Sequence, residues 1–341
     1  MTKLANLIIH VRGSAWRRFS LIFFFVFLIV LGLGVFRDYG ISWDEPQERT
    51  TGIVNLAYIG KVFHISSIEN SQALYEYRQF DLPTYFDRVF GVGYQLPILI
   101  LERAFKLQDE QAIYYFRHLA NYLVCLLGVY AIFRMAERRY RSWLLGIFTA
   151  ICFILSPRFF AESFYNVKDL IFLSLFAISV NCLIALLERP TTLRAIGFAI
   201  SAALAIDVRL MAIMLPSLLI VCNVTDGNWR ALTFSARRFG YSLLALGLCG
   251  FLTILFWPWL WSDPFSHFMT ALKGFSAWSR SDIFMLFHGY YIRSTELPWY
   301  YALAWIGITT PLLYLGLFAV GLVQIVWAAA ISGRHTHFEQ L

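Results

Sequence analysis

Two adjacent carboxylates, Asp44 and Glu45, stand between Trp43 and Pro46, a few residues beyond the uncharged apolar run 20–36. Proline fixes its own φ and suits a first helical turn, so the pair is expected at the N-terminus of a helix running from about Pro46 to Tyr58. The partial positive charge of that terminus favours ionised carboxylates. Such a group can take a proton from a hydroxyl or hold a divalent cation, and it can equally do no more than cap the helix.

A second cluster lies in the turn 156–169, where Arg158, Glu162, Lys168 and Asp169 fall close together and Asp169 immediately precedes an apolar run. Solvated turn charges are the plain reading, set against the cost of charges at the ends of membrane spans unless they are paired or useful. Asp207 and Arg209 form a third group, which reads either as a buried ion pair or as part of a site. Carboxylates and cations gathered at a lipid surface suit transfer of a group from a lipid phosphate. The cations would neutralise the leaving phosphate, and a carboxylate would deprotonate or orient the incoming hydroxyl.

The elements that must position these residues are membrane helices. The chain of 341 residues is 59% hydrophobic and 18% aromatic with 14% charged residues, too little polar surface for a soluble globule of this length. Its 28 basic and 21 acidic residues give a net charge of +7, but the basic residues are scattered between apolar runs, which argues against a nucleic-acid partner. The five cysteines, Cys125, Cys152, Cys182, Cys222 and Cys249, sit within apolar segments without metal-ligand spacing and read as small core residues. Arg17 and Arg18 precede a first run with no small-x-small cleavage pattern after it, so an uncleaved anchor is expected.

Clear spans are expected over 20–36, 118–134, 142–157, 170–187, 239–258 and 310–331. The stretch 192–224 is too long for one span and reads as two short helices meeting at Asp207-Val208-Arg209. That makes an all-α polytopic fold of about eight spans with external interfacial helices, in one domain over 1–341. The short basic loops, from Arg17 and Arg18 through Arg134, Arg138, Arg189, Arg194, Arg230, Arg237 and Arg238 to Arg334, then share one compartment. By the positive-inside rule both termini are cytoplasmic, and the long segments 37–117 and 259–309 are external. Apolar stretches near 96–105 and 299–309 read as helices in the membrane interface.

The order of these features resembles the GT-C superfamily of polyprenyl-phosphate-dependent glycosyltransferases, which includes protein O-mannosyltransferases and aminoarabinose transferases. The resemblance rests on Trp43-Asp44-Glu45 after the first span, and on Gly93-Tyr94-Gln95-Leu96-Pro97 through Tyr115-Phe116-Arg117-His118-Leu119. It continues in Ser156-Pro157 with Asn166-Val167-Lys168-Asp169, in Asp207-Val208-Arg209, and in Glu296-Leu297-Pro298-Trp299-Tyr300-Tyr301 with Thr309-Thr310-Pro311. It implies an inverting transfer of a sugar from a polyprenyl-phosphate donor to a lipid, glycan or protein hydroxyl on the external, periplasmic face of the inner membrane.

Asp44 would be the catalytic carboxylate, Glu45 would support it, and Asp169 would assist or share a divalent metal with Asp44. Lys168, Arg158 and Arg209 would contact the donor phosphate, with Glu162, His118 and Asp207 as possible support. His118 and His288 read more simply as structural, His335 and His337 as a solvated tail, and Trp43, Tyr290 and Tyr291 as belt anchors or sugar-stacking rings. A transporter or flippase of lipid-linked sugars, or a non-catalytic assembly partner, are the competing classes.

Overall fold

The protein is described from a computed structural model covering residues 2–69, 71, 79–225, 236–276 and 283–331. Arg230, Arg334, His335 and His337 lie outside the described residues. Contacts divide the chain into two compact units, Met1–Ser276 and Ala277–Leu341, a division that hydropathy gave no sign of.

The first unit begins with α1 (Thr2–Val35), α2 (Asp44–Phe63), the single turn α3 (Ser66–Glu69) and α4 (Gln95–Ala104). It continues through α5 (Glu110–Tyr140), α6 (Trp143–Ile154), α7 (Pro157–Tyr165), α8 (Asp169–Glu188) and α9 (Thr192–Val208). A 3-10 turn over Leu210–Ile213 leads into α10 (Met214–Thr225), followed by α11 (Ala236–Phe256), a 3-10 turn over Pro258–Trp261 and α12 (Pro264–Ser276). Among the described residues, four helices are long and apolar enough to cross a membrane, or up to six if each of two bent pairs counts as one span. The four lie in α1, α5, α8 and α11.

Proline accounts for the first bent pair. The expected single run 142–157 ends as helix at Ile154, and the chain turns 70° into α7 at Pro157, whose missing N–H costs nothing in a first turn. Ser156 before it is extended, as a residue preceding proline prefers. The break expected at 207–209 is present: Arg209 is extended, with φ −144° and ψ 115°, between α9 and the 3-10 turn. At 17 residues α9 is about 26 Å long, somewhat short of a bilayer core of about 30 Å.

Packing follows the small residues. Ala195, Ala199, Ala202, Ala203 and Phe198 of α9 are fully buried, and α9 packs most extensively on α8 and α11. Gly128 of α5 faces Ser174 of α8 so closely that a Cβ there would lie 2.7 Å from the serine Cβ. Such close approach of backbones is how helices associate in lipid, where apolar area alone gives no drive. Glu137 of α5 pairs with both Arg17 of α1 and Arg134, at 2.5 Å each, while Tyr122, in the N-terminal half of α5, donates to the Leu28 carbonyl. The helices α1 and α5 therefore run antiparallel.

The second unit departs from an all-helical fold. Strands β1 (Phe284–Phe287) and β2 (Tyr290–Arg293) form an antiparallel hairpin, with Phe287 opposite Tyr290. The two turn residues between them, His288 and Gly289, have φ of 52° and 85°. Positive φ at both central positions suits the right-handed twist of the flanking strands, so His288 is a turn residue. The hairpin is followed by α13 (Tyr301–Thr309) and α14 (Leu312–Ile331), bent by 117° around Pro311. Leu312, Leu313, Phe318, Val323 and Trp327 of α14 are all exposed, as suits a helix that is apolar on every face and meets lipid.

Candidate active site

The start of α2 is held by a reciprocal arrangement encoded in Ser42-x-x-Glu45. The Ser42 backbone N–H donates to Glu45 Oε2 at 2.7 Å, as in a capping box. The Ser42 hydroxyl does not close the box within the helix. It donates to the Tyr165 carbonyl at 2.9 Å, tying the start of α2 to the end of α7. This S-x-x-E spacing marks a helix start ahead of Pro46, and α2 begins two residues before that proline.

Glu45 is fully buried, and its Oε1 lies 3.0 Å from Nε2 of His118, itself 1% exposed. The other ring nitrogen of His118 lies 3.3 Å from the Phe36 carbonyl, so the imidazole joins the end of α1, the start of α2 and α5. Asp44 is exposed, as is its neighbour Trp43 at 95%. The two adjacent carboxylates thus occupy opposite environments: Glu45 anchors the helix start, and Asp44 faces outward at the positive end of α2.

One turn further on, Glu48 is buried and its Oε1 lies 2.6 Å from Nζ of Lys168. The same ammonium lies 4.3 Å from the centre of the Phe90 ring. Burial pushes the Glu48 carboxyl above its usual range; Lys168 opposes that shift, and Asp87 and Asp44 add to it. Gln47 donates to Asp87 Oδ2 at 2.8 Å and to the Tyr85 hydroxyl at 3.0 Å, fastening the 79–94 segment to α2.

Behind these, Glu102 of α4 accepts from Arg49 Nε at 3.1 Å and Arg117 Nε at 2.5 Å, and Arg117 also donates to Gln95 at 2.9 Å. Gln95, Ile98, Leu99 and Glu102 form the buried face of α4, so this helix turns its polar groups inward. Glu48, Asp87 and Glu102 were not singled out by sequence. The one local signal is their place on a helix or loop that must pack against other polar elements.

In the α7 to α8 turn, Arg158 donates to Glu162 at 2.7 Å, and Asn166 donates to the other oxygen of Glu162 at 2.9 Å. The Asn166 side-chain oxygen accepts from the backbone N–H of Lys168 and Asp169, starting α8. Asp169 is exposed and pairs with Arg209 at 2.5 Å. Asp207 is buried and accepts from the Gly93 N–H, so the ion pair read as possible between Asp207 and Arg209 does not form. The extended backbone at Arg209 sends the two side chains to different partners.

The structure therefore joins the start of α2 to the α7–α8 turn through Ser42 with Tyr165 and Glu48 with Lys168, and joins that turn to Arg209 through Asp169. Lys168 is enclosed by Glu48 and Phe90, whereas the side chains of Arg158 and Arg209 are 69% and 34% exposed. A guanidinium has five donors, so each arginine keeps some for an anion beyond its carboxylate partner. Tyr290, Tyr291 and His288 belong to the hairpin of the second unit, where both tyrosines are exposed.

Among the described residues no group of three or more His, Cys, Asp or Glu side chains is placed to hold a metal ion. No disulfide joins the five cysteines. No protein-family model, curated protein or solved structure matches the chain.

Proposed function

We propose that the chain is a membrane glycosyltransferase that moves a sugar from a polyprenyl-phosphate donor to an acceptor hydroxyl, with Asp44 as its catalytic carboxylate. The observation that supports this reading is the contrast within Asp44-Glu45: one carboxylate is spent on holding the helix start, and its neighbour is left exposed. It is presented from a helix N-terminus that is fastened to a turn bearing Arg158 and Asp169.

In the proposed step the acceptor oxygen attacks the anomeric carbon as its proton passes to Asp44. The bond from that carbon to the phosphate oxygen breaks, and its electron pair leaves with the lipid phosphate. Attack opposite the leaving group inverts the anomeric centre. Arg158 and Arg209 supply hydrogen bonds to the phosphate, each charge-assisted contact being worth about 1.5 to 3 kcal/mol. Glu45 and His118 position Asp44, and Lys168 with Glu48 positions the α7–α8 turn. Loop-charge parity over the eight expected spans supports a site on the external face of a plasma or inner membrane, with both termini cytoplasmic.

The test is to incubate the full chain, in membranes that supply acceptors, with a panel of polyprenyl-phosphate sugars and to follow release of the lipid phosphate. Release from at least one donor is expected. Turnover of none of them overturns the reading and favours a transport or assembly role.

A further inference from the structure

The hairpin of the second unit divides its side chains between two faces. Residues opposite one another in an antiparallel pair share a face, so Phe284, Leu286, Tyr291 and Arg293 point one way and Met285, Phe287, Tyr290 and Ile292 the other. The second set is the inner face. The Phe287 ring lies 4.9 Å from that of Tyr301 at the start of α13 and 5.9 Å from that of Tyr300, and the Tyr301 hydroxyl donates to the Met285 sulfur at 3.7 Å. Phe287 is buried, and Met285 and Ile292 are half-buried. On the outer face Phe284, Leu286, Tyr291 and Arg293 are all exposed.

An antiparallel sheet that turns one face to water is expected to be polar on that face. This one presents three apolar or aromatic side chains and an arginine, whose guanidinium lies 5.7 Å from the centre of the Phe284 ring. By composition alone the face would fit a protein partner as well as lipid. The helices that carry the hairpin separate the two.

The 20 residues of α14 span about 30 Å, the thickness of a bilayer core, and its apolar side chains are exposed on every side. The turn of 117° at Pro311 exceeds a right angle, so with α14 along the bilayer normal the α13 axis lies about 30° from the bilayer plane and its far end dips toward the core. Over the nine residues of α13 that dip is about 6 Å. Tyr301 and the hairpin packed on it are therefore carried at the boundary of the hydrocarbon instead of out into water. Leu303, Ile306 and Ile308 of α13 are exposed along the way, as suits a helix lying in that boundary. The hairpin goes no deeper, because a two-stranded sheet has open edges whose backbone groups need water or headgroups.

We propose that the outer face of the hairpin is a lipid-docking surface: Phe284, Leu286 and Tyr291 enter the boundary between headgroups and acyl chains, and the Arg293 guanidinium stays at headgroup level. This surface does not depend on the chain's being a glycosyltransferase.

The test is electron paramagnetic resonance on the full chain in phosphatidylcholine vesicles, with a nitroxide attached at Leu286→Cys or at Tyr291→Cys and the signal of the labelled wild type subtracted. Both side chains are exposed, so neither change disturbs the packing on α13. Power saturation by oxygen and by a water-soluble nickel chelate reads the depth of each label, which is expected about 5 to 10 Å into the headgroup and acyl boundary at both positions. Labels that collide with the nickel chelate as freely as a label in water overturn the proposal. Labels shielded from oxygen and nickel alike would mean that protein, such as a second copy of the chain, covers the face, and would overturn it as well.

Discussion

The Lys168 ammonium lies 2.6 Å from the Glu48 carboxylate, while the next residue, Asp169, points outward to Arg209. Consecutive residues at the start of α8 therefore have separate tasks. Lys168 fastens the turn to α2, with both members of its ion pair largely removed from solvent, and Asp169 stays at the surface.

Breaking that pair from one side should be expensive. Lys168→Met leaves Glu48 buried beside an apolar stem, and losing one partner of a buried pair costs about 3 to 5 kcal/mol. The double change Glu48→Gln with Lys168→Met should recover much of that loss. Thermal unfolding of the wild type, both single variants and the double variant in one detergent measures the coupling; purely additive effects would show that the pair is not an energetic unit.

The raised carboxyl of Glu48 gives stability a defined pH trend. Folding favours its protonated form, so this contribution is fully present below the ordinary glutamate value of 4.5 and is lost as pH rises through the higher folded value. Over that window the wild-type unfolding temperature should fall relative to that of Glu48→Gln. Parallel curves between about pH 4 and about pH 8 would mean that burial does not shift Glu48.

Asp44→Asn should remove activity without weakening the fold, because the side chain is exposed. A general base typically contributes about 10² to 10⁴ in rate, and lipid-phosphate release should fall by that order with an unchanged melting temperature. Undiminished release would end the assignment of Asp44.

Glu102→Leu tests the support behind α2. It strands Arg117, 1% exposed, and leaves Arg49 without its carboxylate, so a loss of about 3 to 5 kcal/mol is expected. A melting temperature equal to that of the wild type would show that Gln95 alone satisfies Arg117.

Gly91→Ala should destabilise the chain by about 1 to 3 kcal/mol, since the new methyl would occupy the position of the Asp207 carboxylate. In an Asp207→Ala background only the part due to the carboxylate should disappear, because the backbone carbonyl oxygen of residue 207 would still lie 2.8 Å from the new methyl. The measurement is again a four-variant thermal cycle, and an equal cost in both backgrounds would place the strain elsewhere.

Much of the architecture is written in local sequence, for a local reason. Apolar runs long enough for a bilayer become the helices α1, α5, α8 and α11, because buried backbone groups in lipid must be satisfied within their own segment. Pro157 opens α7, Pro46 falls in the first turn of α2, and Asp207-Val208-Arg209 marks the break between α9 and its successor. The hairpin was legible in principle from alternating residues around His288-Gly289, but its strands are only four residues each and sit among apolar stretches that also suit helices.

What the sequence by itself determined is that this chain is mostly helical, with several helices apolar enough to cross a membrane, and that its notable charges gather at helix ends. Only the tertiary structure decided which of those charges face outward. Asp44 and Glu45 are equivalent on position, and a fold that brings His118 to one of them buries Glu45 and leaves Asp44 exposed. Lys168, Arg158 and Arg209 are likewise indistinguishable as cations until Glu48 and Phe90 enclose the first. Local sequence fixes where a helix starts, but burial depends on residues far away in the chain, and the environment of a charge comes from those neighbours.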